Sequence, residues 1–326
     1  MPGPESIASR GLTPQDAGGC SVLVMRYGIF GGAVNDGTLD DVVGEAASAE
    51  RDGFATYWAP HIFGLDALTA LAVAGTKVPR IEMGTSVVPT FPRHPHAMAQ
   101  QAHTVAAASG GRFTLGIGLS HKAVIEDMFG LSYDKPVRHL REYLSVLMPL
   151  SRNEPAGFDG DSYRVHAGLR VRGSDGFSVV VAALGEQMLR VTAALADGTL
   201  TWCTGPVTLA SHTIPTITRA ADEFARPSPR VIAALPVCVT SDRVAAAARA
   251  AETFAAYGAL PSYRAMLDRE GVAGPADIAI IGSARDVQER IEGLGGIGVT
   301  DFAAVEFGAT PDEKFDTREA LRGLLP

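Results

Sequence analysis

Short apolar runs recur along the chain, at residues 22–30, 54–58, 81–88, 113–118, 178–183, 199–202, 231–239 and 301–307. Each has the length and β-branched or aromatic content of a buried strand. Between them lie alanine-rich segments with apolar residues at helical spacing, such as Leu39, Val42, Val43 and Ala46, or Leu140, Tyr143, Leu144 and Leu147. Strands alternating with amphipathic helices predict a parallel sheet with right-handed crossovers. Eight such units predict closure into a (β/α)8 TIM barrel, with an open doubly wound sheet as the alternative.

The punctuation fits this reading. Asp66 stands where it can cap a helix, Pro95 and Pro136 where a first helical turn tolerates proline, and Ser283 with Asp286 forms a capping-box pattern. Glycines after Ser109 and Asp197 suit helix ends. Two stretches exceed a minimal unit: 151–177, rich in Gly, Asp and Arg, reads as a surface excursion, and about 205–281 as a long, mostly helical insertion with a short extended piece at 277–283. Residues 21–326 therefore read as one barrel domain with insertions, preceded by a disordered extension at 1–20 that lacks the features of a secretory signal.

Composition narrows the class of function. With 46% hydrophobic and 20% charged residues and no apolar run long enough to span a bilayer, the chain reads as soluble, not membrane-bound. A net charge of −8 argues against general nucleic-acid binding and for a small-molecule partner. Cys20, Cys203 and Cys238 are too few and too scattered for a disulfide framework or a zinc site, which suits a reducing cytoplasm.

In a parallel barrel the working groups gather at the carboxyl ends of the strands. Those ends carry Phe30-Gly31, Pro60-His61, the stretch 84–95 with Pro89, Thr90 and Arg93, then Gly118-Leu119-Ser120-His121, Ala183-Leu184-Gly185-Glu186 and Trp202-Cys203-Thr204-Gly205. They offer glycines, hydroxyls and histidines but no paired carboxylates for glycosidase chemistry. Residues 116–121 begin like a dinucleotide fingerprint but lack its third glycine, and no G-x-S-x-G is present around Ser120. His94 and His96 have no third metal ligand nearby in sequence, so no metal is expected. Glycine backbones and helix starts suit a planar heterocycle carrying a phosphate, with the starts at Gly185 and Gly205 as two places for the phosphate or as ordinary tight turns.

The runs 110–121, 126–133 and 138–144, together with 84–90, 181–185 and 196–202, resemble the luciferase-like flavin and deazaflavin oxidoreductases over about residues 24–307. The detail is most similar to the actinobacterial branch that uses coenzyme F420. The resemblance implies a TIM barrel with insertions, usually dimeric, with the cofactor across the carboxyl rim. It also implies a bulged third strand with a cis peptide at Ser86-Val87 beneath the ring.

By the same resemblance Ser86 and Val87 are cofactor residues, and the strand ends and helix starts add Pro89, Thr90, Gly118, Ser120, His121, Ala183, Leu184, Gly185, Glu186, Thr204 and Gly205 as further cofactor candidates. Phe30, Gly31, Trp202 and Arg93 are expected at the substrate. His61 matches the histidine that handles the hydroxyl proton in deazaflavin-dependent dehydrogenases, and His121 is a second acid/base candidate. Where those enzymes carry acidic residues, this chain has Pro60 and His121, which speaks against a sugar dehydrogenase. The expected activity is an F420-dependent reductase or dehydrogenase. The alternatives are an FMN-dependent monooxygenase served by a separate reductase and a non-catalytic flavin or deazaflavin carrier.

Overall fold

The computed structural model describes residues 25–326, so the expected extension at 1–20, Cys20 and positions 22–24 of the first apolar run lie outside the described part. The strands are β1 (Arg26–Phe30), β2 (Thr56–Ala59), β3 (Glu82–Thr85), β4 (Val88–Pro89), β5 (Phe113–Gly118), β6 (Ala156–Asp159), β7 (Arg164–Ala167), β8 (Ser178–Val181), β9 (Gly198–Trp202), β10 (Arg230–Val239), β11 (Ile280–Gly282) and β12 (Asp301–Glu306). In the order β1, β2, β3 with β4, β5, β8, β9, β10, β12 they pair in parallel around a complete ring. The pairing of β10 with both β9 and β12 closes the sheet and excludes the open doubly wound alternative.

The helix signals act as read. Thr69 N–H donates to Asp66 Oδ1 at 2.8 Å, Pro95 and Pro136 open their helices, and Ser283 and Asp286 bond reciprocally. The helix Pro95–Ala108 is followed by Gly110 and Gly111 at positive φ. Gly198 differs: the helix Glu186–Leu195 ends on Ala196, and Gly198 begins β9.

Both long stretches are more regular than composition suggested. The excursion at 151–177 contains the antiparallel hairpin β6–β7, whose turn is fixed by Glu142 accepting from the Ser162 N–H at 2.6 Å. The span 205–281 is split by β10. Residues 206–223 form the crossover that follows β9, and the true excursion lies between β10 and β11, which extends the carboxyl half of β10. The extended piece at 277–283 is the end of a 3-10 turn, Pro275–Ile278, followed by β11.

The barrel interior is layered. At its amino-terminal end Arg230 donates to Asp301 Oδ1 at 2.7 Å and Glu82 Oε1 at 3.0 Å, and Arg26 joins the same two carboxylates. Above the ions sit Trp58, Val180, Leu200, Ile232, Ala234 and Ala303, with Phe30, Val87 and Trp202 as the topmost, partly exposed layer. Trp58 links the layers, since the Arg230 guanidinium lies 6.0 Å from its ring and its indole N–H reaches Thr56 Oγ1 at 2.9 Å.

Removing one partner of a desolvated ion cluster strands the others. Arg230→Ala should therefore lose about 3 kcal/mol of unfolding free energy in urea titration. Arg285→Ala, which breaks only an exposed pair with Glu289, should leave the midpoint unchanged.

Candidate active site at the carboxyl rim

The third strand is interrupted where the resemblance placed a bulge. Gly84 pairs with Thr114 and Val88 with Ile117, so four steps on this strand match three on β5. The Thr85 hydroxyl fills the gap: it donates to the Gly116 carbonyl and accepts from the Gly116 N–H, both at 2.8 Å. The Ser86-Val87 peptide is cis, and both residues are half-buried at the rim. Val87 lies over Gly118, where any Cβ would come within 2.7 Å of a Val87 methyl and 3.3 Å of Ala182. Glycine at 118 therefore lets Val87 form part of the floor of the barrel mouth.

Pro89 ends β4 half-buried, whereas Thr90 is fully buried and its hydroxyl meets His139 Nε2 at 2.9 Å. Thr90 was expected at the cofactor. Its hydroxyl instead clamps the loop, because His139 already occupies it. His139 stacks on Phe91 with centroids 3.9 Å apart, Tyr133 stacks on the same ring, and Tyr143 donates to the Arg93 carbonyl at 3.1 Å. Burial pushes His139 down to about 4. His94 turns away, exposed and edge-on to Tyr163.

The clamped loop delivers Arg93 to His61. Arg93 pairs with Asp66 and sets a second guanidinium nitrogen 3.4 Å from His61 Nε2. The His61 Nδ1 lies 3.2 Å from the Ala67 N–H, so each ring nitrogen faces a donor, Ala67 on one side and Arg93 on the other. Burial, reinforced by Arg93, lowers the His61 pKa, and Asp66 at 3.9 Å opposes this. Asp66, read from sequence only as a cap, thus supplies acidity near His61 although position 60 is proline. Arg93, expected at the substrate, is committed to Asp66.

Across the mouth, Ser120 adopts φ 60° and its carbonyl accepts from the Tyr133 hydroxyl, while the His121 ring lies 5.7 Å from Tyr263. Burial lowers the His121 pKa. Tyr263 meets Tyr257 edge-on, Tyr257 meets Trp202, and Trp202 stacks on Phe30 at 6.1 Å. An aromatic arc therefore runs over the mouth from β1 to the end of β5. Gly31 is buried against the Tyr57 side chain. The tyrosines come from the excursion after β10, and no periodicity in the sequence indicated which of its aromatics face the rim.

The two helix starts proposed for a phosphate differ. At Gly185 no side chain caps the helix Glu186–Leu195, and the space above the Gly185 Cα is open within 4 Å. Ala183 is buried below it, Leu184 is half-buried with its carbonyl bonded to His212 at 2.9 Å, and Glu186 is exposed. At Gly205 the place is taken: Glu270 accepts from the Val207 N–H at 3.0 Å and the Thr208 N–H at 2.7 Å, and its carboxylate presses on buried Gly205. The hydroxyl of buried Thr204 turns back to the Trp202 carbonyl at 3.2 Å. Glu270 is more than sixty residues away in sequence, so the turn chemistry at 204–205 carried no sign of it.

No helix among the described residues is long and apolar enough to cross a membrane. Two concavities of about 400 and 370 Å3 are lined by none of the carboxyl strand ends: one lies within the excursion beside Gly258, the other at the amino-terminal ends of β5 and β8 beside Phe177. The rim is therefore singled out by its convergent side chains and strand ends rather than by the depth of a cleft.

Residues 23–301 match the family described as luciferase-like monooxygenase. A protein of Mycobacterium tuberculosis named for coenzyme F420-dependent oxidoreductase activity is 31% identical over 224 residues, 61% of this chain and 62% of the relative. The aligned part thus spans less than two thirds of that relative. The 5,10-methylenetetrahydromethanopterin reductase of Methanolobus tindarius is 26% identical over 273 residues, covering 83% of this chain and 79% of that one. Among solved structures, an F420-dependent secondary alcohol dehydrogenase in complex with an F420-acetone adduct superposes with a TM-score of 0.77 at 18% identity, over 93% of this chain and 98% of the other.

Two outcomes follow from the histidines. His139 binds a proton near pH 6.5 when unfolded but only near 4 when folded, so stability falls as pH drops through that window, by on the order of 3 kcal/mol at its foot. Urea midpoints of wild type and His139→Asn should diverge above pH 6.5 and converge towards pH 4. His61, followed by histidine NMR, should titrate below the usual imidazole range. Arg93→Ala should raise that value, because it removes a cation and leaves Asp66 unpaired beside the ring.

Proposed function

The chain belongs to the luciferase-like monooxygenase family, and we propose that it is a coenzyme F420-dependent oxidoreductase that moves a hydride between the deazaflavin and a small organic substrate bearing C=C, C=N, C=O or the matching alcohol. The observation that carries the reading is the uncapped, open helix start at Gly185, reached directly from Ala182, which flanks the Gly118 and Val87 floor of the barrel mouth. Free first-turn N–H groups suit an anionic phosphate, and a ring lying from there toward the floor would rest on Ser86 and Val87. The similarity to proteins named for F420 favours the deazaflavin over FMN.

Bound F420 would supply a two-electron hydride donor or acceptor. The chain would do the rest. Ser86, Val87 and Gly118 would support the ring, while Leu184, Gly185 and Glu186 would supply the phosphate turn over buried Ala183. Ser120 and His121 would border the ring from β5. Neutral His61 would exchange a proton with the substrate oxygen and hold it at the reacting carbon. Its neighbours Ala67, Arg93 and Asp66 fix the ring, and burial with the Arg93 cation keeps it uncharged against the opposing pull of Asp66. His121, likewise kept neutral by burial, is placed to handle a proton on the opposite side of the mouth.

Titration of the purified protein with F420 and with FMN tests this. The expected result is saturable F420 binding, weakened about tenfold or more by Gly185→Asp, since a carboxylate at the helix start competes with the phosphate. His61→Ala should retain F420 binding and lose about a hundredfold in turnover. Tight FMN binding with oxygen consumption and no F420 binding would overturn the assignment.

A further inference from the structure

Resting on the F420 reading, we propose that the substrate pocket takes an uncharged, apolar, ring-bearing molecule, and that Glu270 is the specificity residue that excludes phosphorylated or carboxylated ones. Three observations carry this. First, the arc of Phe30, Trp202, Tyr257, Tyr263 and His121 presents flat, largely apolar faces, all half-buried, and its one histidine is held neutral by burial. Within it the Trp202 indole N–H is buried and directed at the Tyr257 hydroxyl, so it brings no charge to the mouth.

Second, the cations that flank the arc are already engaged. Lys122, next to His121, pairs with Glu126 at 3.6 Å, and Arg264, next to Tyr263, bonds Asp268 at 2.7 Å and two carbonyls. Arg93, on the far side of the mouth, is held by Asp66.

Third, two backbone donors in the turn that leaves β9 after Trp202, the N–H groups of Val207 and Thr208, are both filled by the Glu270 carboxylate. Glu270 ends the helix Pro261–Glu270 that also carries Tyr263, and Thr208 Oγ1 bonds the Met266 carbonyl of that helix at 3.1 Å. The same element thus supplies an aromatic face and places a negative charge where an anionic substituent would find N–H donors. An anion entering there meets repulsion and no free donor, whereas a neutral ring meets stacking surfaces.

Calorimetric titration of the F420-loaded protein with 2-naphthol and with 2-naphthyl phosphate tests the proposal, because the two probes share a ring system and differ in charge. Wild type should bind the naphthol at least about tenfold more tightly, and Glu270→Gln and Glu270→Ala should each narrow that gap by about tenfold. Two variants are used so that one misfolded protein does not decide the matter. Equal binding of the probes by wild type, binding of neither, or a gap unchanged in both variants would overturn it. Failure of F420 to bind in the same titrations would instead count against the cofactor reading, and the probe comparison on the unloaded protein would still judge the pocket.

Discussion

Arg230 holds the floor on which the rim depends. From the start of β10 it reaches Asp301 on β12 and Glu82 on β3, strands that do not neighbour each other in the ring. These charges tolerate the barrel interior because each is matched, and the matching fixes the relative positions of three strands at once. Trp58 rests on the guanidinium and carries that order upward to the apolar layers. With closure fixed at the base, the strand ends converge at one mouth, and side chains from distant parts of the chain come within reach of one small molecule.

At that mouth the protein spends its polar groups on holding its own loops. Thr85 repairs the interrupted ladder, His139 and Tyr143 clamp the 90–93 loop, Arg93 is neutralised by Asp66, and Glu270 seals one helix start. What is left facing the opening is the Val87 floor, an aromatic arc, two neutral histidines and one uncapped helix start. This residue of unspent chemistry is narrow. On the proposed reading it would take a heterocycle with a phosphate and a neutral reaction partner, with His61 proposed to manage the oxygen.

The barrel was legible in the sequence because its strands are buried on both sides and therefore read as continuous apolar runs, and because Asp66, Pro95, Pro136 and Ser283 mark helix starts by local chemistry. The hairpin β6–β7 was hidden by its polar, glycine-rich composition, since an exposed hairpin has little apolar alternation to show. The placement of Ser86, Val87 and His61 at the rim followed from the family resemblance and strand order. The partners that define their chemistry did not. Asp66 doubles as a cap, Thr90 as a clamp, and Glu270 reaches Gly205 only through the packing of an excursion whose path the sequence leaves open. Contacts across sixty residues are tertiary, and a single chain carries no local trace of them.

The central claim is that the Gly185 helix start and the Ser86-Val87 floor together seat coenzyme F420. A crystal structure of the protein grown with F420 tests it most directly. The account predicts the phosphate on the first-turn N–H groups after Gly185, the deazaflavin against Val87, and the His61 ring facing the open side of the deazaflavin. Phosphate density anywhere else on the rim, or a mouth left empty at saturating F420, would contradict it.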